Sequence, residues 1–220
     1  MTTPRTREAR ARDASAAARA SARTRGTQLI DDLLAAAKQQ FEAHGWAATS
    51  VGDIIAAAGV SRATFYRYFA DKRDIFYLLA QRYVGAAVPP LDELFSSDLH
   101  DTPTLTDALT EYISRYHENA AIARIWAEEA PHDTVLTALA RESALRARRQ
   151  FRQAFGDESG QATDAFFLLL FAVTERFPYH AFAAEAAIAD LAPCEVAEAT
   201  ADILAGLSRA QAALNPASAN

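Results

Sequence analysis

The chain of 220 residues has a single cysteine, Cys194, one methionine, and only eight glycines and eight prolines. A lone cysteine excludes an internal disulfide framework and suits a reducing cytoplasm. With so few turn formers, scarce β-branched runs and abundant alanine, helix is expected almost throughout. No apolar run approaches the roughly 20 residues that cross a bilayer, and Phe166 to Val173 falls far short. The arginine-rich start has no apolar stretch behind it, so a secretory signal is not expected. A phosphate-binding glycine loop, a Gly-x-Ser-x-Gly elbow and paired His/Cys metal spacing are all missing. His44, His100, His117, His132 and His180 are scattered, and Pro131 separates Glu128 and Glu129 from His132. No enzyme, metal site or cofactor is therefore expected, and no membrane partner.

What is present begins with charge. The net −6 divides unevenly: residues 1–82 hold 13 Lys/Arg against 8 Asp/Glu, and residues 83–220 hold 9 against 20. A basic front and an acidic rear orient a molecule toward a polyanion with its first third leading. Much of the excess lies in residues 1–25, an Ala/Arg/Ser/Thr-rich stretch with little to bury. It reads as a mobile arm, helical in part at most, and either a solvated tail or an added contact to phosphate or the minor groove.

From Gly26 the pattern becomes helical. Leu29, Ile30, Leu33, Leu34, Ala37 and Phe41 form one apolar stripe, and Gly45 ends it in a left-handed cap. Ser50 is a candidate N-cap, with Asp53 three residues on to complete a capping box. Val51, Ile54, Ile55 and Ala58 supply the buried side of a second helix. Gly59 then makes a turn, Val60 plugs it, and Ser61 caps a third helix from Arg62 to about Phe69. Phe65 and Phe69, four apart, anchor one face, which turns Ala63 and Arg67 outward with Thr64 and Tyr66 on the flanks. A short helix of that composition behind a glycine turn suits a major groove. Asp71 opens a fourth helix that ends near Pro89-Pro90. Further helices are expected at 91–97, 104–118, 120–130, 133–155, 161–186 and 194–213, with Pro178 kinking or breaking its helix.

The stretch Thr49-Ser50-Val51…Ile54…Ala58-Gly59-Val60-Ser61-Arg62-Ala63-Thr64-Phe65-Tyr66-Arg67-Tyr68-Phe69-Ala70-Asp71-Lys72 resembles the helix-turn-helix of the TetR family of bacterial repressors. The likeness covers about residues 27–84, where the Ala-Gly-Val-Ser turn, the Thr-Phe-Tyr-Arg-Tyr-Phe core and the Asp-Lys step occur together. It implies an all-α fold with a flexible arm (1–25), a three-helix DNA-binding domain (26–84) and a larger helical ligand-sensing and dimerisation domain (85–220). It also implies a cytoplasmic transcriptional repressor, a dimer on a palindromic duplex operator, released by an apolar small molecule. A ligand-independent DNA-binding regulator is the alternative, and a helical enzyme the remote one.

Carried onto these positions, the resemblance gives a DNA face of Ser50, Ser61, Arg62, Ala63, Thr64, Tyr66, Arg67, Tyr68 and Lys72. Ser50 would offer its hydroxyl or N–H to a phosphate at a helix N-terminus. Arg62 would read guanine in two-pronged fashion, and Thr64 would touch phosphate or a thymine methyl. Tyr66 and Tyr68 would donate to phosphates or simply pack, and Arg67 could read bases or phosphates. Lys72 would hold a phosphate or stand as a solvated charge. Ala63 departs from the family's usual glycine or proline, and Gly52 from its polar side chains.

In this family the last two long helices pair with their mates. The segment around Phe166–Phe171 and the stripe Val196, Thr200, Ile203, Leu204, Leu207 resemble them, with small Ala197, Ala201 and Gly206 permitting close approach. Candidates for an effector pocket are Phe95, Tyr112, Tyr116, Trp126, Phe151, Phe155, Phe171, Phe177 and Tyr179, any of which could equally be core. Glu175, beside Arg176 in an otherwise apolar helix, is either a ligand contact or half of a salt bridge.

Overall fold

A computed structural model of the chain describes residues 4–96, 101–155, 161–183 and 190–214, with the side chains of 4–23, 25, 87–93, 95–96, 154–155, 161–163 and 211–214 outside that description. The fold is all-α, with no strand among the described residues. In chain order the helices are α1 (Pro4–Ala48), α2 (Val51–Ala58), α3 (Arg62–Tyr68), α4 (Lys72–Ser96), α5 (Thr102–Glu118) and α6 (Ala120–Glu129). After a 3-10 turn (Ala130–His132) come α7 (Thr134–Phe155), α8 (Gln161–Pro178), a π-turn (Tyr179–Ala183) and α9 (Pro193–Leu214). Two compact units result, Met1–Phe76 and Tyr77–Asn220.

In the first unit the α1 stripe is buried as its spacing requires. Leu33, Leu34, Ala37 and Phe41 close on Ile54, Ile55, Phe65, Phe69, Ile75 and Phe76. Each such large side chain contributes about 1.5–3 kcal/mol on full burial. Trp46 completes an aromatic trio, with ring centroids 5.4 Å from Phe41 and 5.2 Å from Phe76. The expected start at Gly26 needs correction: α1 reaches back to Pro4. Alanine and arginine sustain helix there, and proline fits a first turn, where its missing N–H has no helical partner to lose.

The expected stop at Pro89-Pro90 is also corrected, because α4 continues to Ser96 and absorbs the helix placed at 91–97. Proline's fixed φ lies in the helical range, so the pair removes backbone donors without ending the helix. In the second unit Pro103 sits in the first turn of α5, and Pro178 closes α8 ahead of the π-turn. α5 packs along α9: Leu105, Leu109, Tyr112 and Ile113 meet Val196, Ala197, Ala201, Leu204 and Ala205, with Phe151, Phe167 and Leu170 completing the core.

That packing corrects the reading of the last helix. Val196, Thr200 and Leu204, with Ala197 and Ala201, are fully buried within the chain, where the alanines allow α5 to approach. The side chain on that stripe that faces outward is Ile203, 44% exposed, together with Leu168 and Leu169 on α8. Helical periodicity reports that a face is buried, and not whether the covering chain is the same one.

Candidate nucleic-acid interface

The geometry of the α2–α3 pair follows from its capping residues. Ser50 takes an extended conformation and accepts the Asp53 N–H at 3.3 Å, while Asp53 Oδ2 accepts the Ser50 N–H at 2.8 Å and its hydroxyl at 2.6 Å. These bonds, the hydroxyl first, hold the Asp53 carboxyl below its ordinary range. Just ahead, the Thr49 hydroxyl is buried and donates to the carbonyls of Gly45 at 2.8 Å and Gln40 at 3.1 Å. Gly45 breaks the helix with φ 75° and ψ 175°, a region open essentially to glycine alone and different from the left-handed cap that was expected. At the far end of α2, Gly59 is left-handed (φ 64°, ψ 29°), and the Val60 N–H reaches back to the Ile55 carbonyl at 3.3 Å.

Ser61 then caps α3, accepting the Thr64 N–H at 3.1 Å, and its Oγ lies 2.9 Å from Thr64 Oγ1. Phe65 is fully buried and Phe69 nearly so, with the two rings 5.7 Å apart. One face of α3 is thereby fixed to the core. Arg62, Ala63, Tyr66 and Arg67 are exposed on the other, with Thr64 half-buried between the faces. Tyr68 is half-buried and its hydroxyl accepts from Arg67 at 3.0 Å, the guanidinium lying 4.8 Å from the ring centre.

Ser50 and Lys72, two of the nine sequence-derived residues, also bond within the unit. Ser50 directs both of its candidate phosphate donors at Asp53. The capping box that orients α2 therefore competes with any anion for the same protons. The Lys72 ammonium turns inward, donating to the carbonyls of Trp46 at 2.5 Å and Thr49 at 2.8 Å and lying 4.3 Å from the Trp46 ring centre. The carbonyls at the end of α1 carry the negative end of its dipole and lack helical donors, so they attract this cation. Trp46 and Thr49 are the structural residues that sequence reasoning passed over. Thr49 could have been suspected from its place before the Ser50 cap, whereas no local signal points Lys72 back across 26 residues.

Among the remaining candidates, Tyr116, Trp126, Phe171, Glu175 and Tyr179 come together in the second unit. They share the wall of a cavity of about 560 Å³ with Tyr83, Ala123, Leu168 and Arg176. Tyr112 sits behind that wall and donates to Glu175 Oε1 at 3.2 Å. Burial pushes the Tyr83 and Tyr112 hydroxyls well above their ordinary range, and that of Tyr116 upward too; the Glu175 charge acts in the same direction on all three. Burial also raises the Glu175 carboxyl, against the Tyr112 hydrogen bond and Arg176. No ion pair within 4.0 Å joins Glu175 to Arg176 among the described residues, although the Arg176 charge favours the ionised carboxyl.

Phe151 is fully buried against Phe166 and Phe167, and is core instead of pocket wall. Phe177 lines a second groove of about 550 Å³ with Val173, His180, Leu191 and Ile203, and Ala172 and Arg176 line both it and the first cavity. Phe95 and Phe155 lie outside the described side chains. Among the described residues no helix is long and apolar enough to cross a membrane.

Comparison with known proteins bears on the first unit most directly. The family described as "Bacterial regulatory proteins, tetR family" matches residues 33–77, the span from the middle of α1 to the start of α4. The HTH-type transcriptional repressor BdcR of Escherichia coli is 28% identical over 102 residues, 46% of this chain and 52% of that one, so the match spans about half of its relative's length. A tetR-family transcriptional regulator from Streptomyces coelicolor shares the fold at a TM-score of 0.68, with 18% identity, covering 86% of this chain and 83% of that one. The fatty acid degradation regulator FadR from Bacillus halodurans does so at 0.63, with 16% identity, covering 81% and 95%. The match over residues 33–77, with the Ser61-capped α3 inside it, and the fold shared with the solved regulators make the chain similar to the tetR family of bacterial regulatory proteins.

Proposed function

We propose that the protein is a transcriptional regulator, most simply a repressor, that binds a two-fold operator as a dimer and is released by a small molecule. The observation that carries the reading is the division of α3. Phe65 fixes one side in the core, and Arg62, Ala63, Tyr66 and Arg67 form an exposed edge of the size and chemistry that a major groove accepts. One such edge reaches few base pairs, so two are needed, with centres about 34–36 Å apart on successive turns. Leu168, Leu169 and Ile203, the large apolar side chains exposed on α8 and α9, support a dimer face there.

The cavity in the second unit supports an effector site. Tyr83 in its wall belongs to α4, the helix that begins at Lys72 directly after the reading helix. A ligand that prefers one setting of α4 would change the spacing of the two reading heads and lower operator affinity by that preference. The decisive experiment is selection of bound fragments from the source genome by the purified protein at modest salt. Enrichment of duplexes sharing a two-fold motif is expected; retention of none, or of all fragments alike, would remove the reading.

A further inference from the structure

The cavity of the second unit carries one acidic side chain, Glu175, among the described residues that line it. At about 560 Å³ it lies within the range of about 300–1,000 Å³ typical of small-molecule sites. Trp126, Phe171 and Tyr179 give it aromatic walls, and Glu175 places a carboxylate among them. Tyr112 donates to that carboxylate from behind at 3.2 Å. Tyr83 and Tyr116, meeting edge to face at 6.2 Å in the same wall, both lie within reach of its charge. A carboxylate in an aromatic wall that forms no ion pair among the described residues is an expensive feature that a hydrophobic side chain would remove.

Arg176, in the same wall, favours the ionised Glu175 but is the smallest of the influences on it. The guanidinium belongs to an exposed side chain of that wall, 5.9 Å from the Tyr179 ring centre and forming no ion pair with Glu175 within 4.0 Å. Water screens that charge, whereas the carboxylate faces a low-dielectric space. The Glu175 carboxylate and the π-faces around it share a preference for a cation.

We infer that the effector is a lipophilic amine, its apolar body against Trp126 and Phe171 and its ammonium hydrogen-bonded to Glu175. This rests on the cavity being the effector site, and it replaces a purely apolar ligand with one that carries a basic head. The ammonium would satisfy the carboxylate by a charge-assisted hydrogen bond, and an alcohol of the same shape would do so less well.

The test is calorimetric titration of the full chain with 4-phenylbutylamine, 4-phenylbutan-1-ol and 4-phenylbutanoate, which share a body and differ in the head. The amine is expected to bind at least about tenfold tighter than the alcohol, with the carboxylate weakest. Glu175→Gln should bring amine and alcohol within about threefold of each other. Equal binding of amine and alcohol would overturn the inference, as would tightest binding of the carboxylate, survival of the amine's advantage in Glu175→Gln, or binding of none of the three. If Glu175→Gln does not fold, the ranking on the unaltered protein decides alone. Retention of genomic duplexes by the unliganded protein is scored separately, so loss of the amine preference leaves the DNA reading untouched, and the reverse.

Discussion

The Lys72 ammonium lies 4.3 Å from the centre of the Trp46 ring and donates to that residue's carbonyl at 2.5 Å. Its second bond, to the Thr49 carbonyl at 2.8 Å, reaches the residue before the Ser50 cap. The charge thus ties the first turn of α4 to the carbonyls that precede α2. It is a strut inside the reading unit.

A strut and a phosphate ligand predict different salt dependence. Lys72→Ala should destabilise the first unit by about 1–3 kcal/mol, because it removes charged hydrogen bonds and exposes carbonyl groups. Operator affinity should fall for every sequence alike, through misplacement of α3, while the slope of log K against log salt stays unchanged. Filter binding across a salt series measures both. A slope shallower by about 0.9 would restore Lys72 to the phosphate contacts.

The two arginines of α3 should separate by role. Arg62 is exposed at the first position of the helix, where a guanidinium can meet a base edge; Arg62→Ala is expected to cost about 1–3 kcal/mol on the preferred operator and to relax preference at one position. Arg67 is held over the Tyr68 ring and bonded to its hydroxyl, and a phosphate contact is the role expected of it. Arg67→Ala should weaken all duplexes similarly and lower the salt slope by about 0.9. Selection from randomised duplexes reads the first, and titration at several salt concentrations the second. An exchange of these phenotypes would show that the roles are reversed.

The reading unit was largely legible in the sequence because its signals are local. Ser50 with Asp53, Gly59 with Ser61, and Phe65 with Phe69 each act within a few residues, and all three pairs stand as expected. Lys72 and Trp46 were not legible, since their contact joins distant residues and depends on the Gly45 break that sets the path of Trp46. The second unit was less readable for a related reason. Its aromatic residues are similar in kind, and only packing separates Phe151 in the core from Phe171 in the cavity wall.

The dimer face makes a prediction that buried α9 residues could not. Leu169→Glu and Ile203→Glu replace exposed apolar side chains, 46% and 44% accessible, so the fold of one chain should survive with little change in its melting temperature. A charge desolvated at a subunit contact should nevertheless split the dimer. Sedimentation should show a shift to the monomer, and operator affinity should fall with it because single reading heads bind weakly. Dimers that persist in both variants would place the contact elsewhere.

Glu175 offers the last test, through the pH dependence of stability. Its carboxyl is raised by burial, so between the ordinary glutamate range and its folded value the folded chain holds a proton that the unfolded chain releases. Stability contributed by this site therefore falls as pH rises through that window and is flat on either side. Glu175→Gln, which mimics the protonated form, should raise the melting temperature near neutral pH and give no gain below the ordinary glutamate range. Melts of both proteins across pH, with the difference plotted, isolate the site from the chain's other carboxylates. A gain that is the same at every pH would mean the carboxylate is not desolvated. A destabilised variant near neutrality would mean that a cationic group within the chain already satisfies the charge, and the cavity would then have no unmatched carboxylate to offer a ligand.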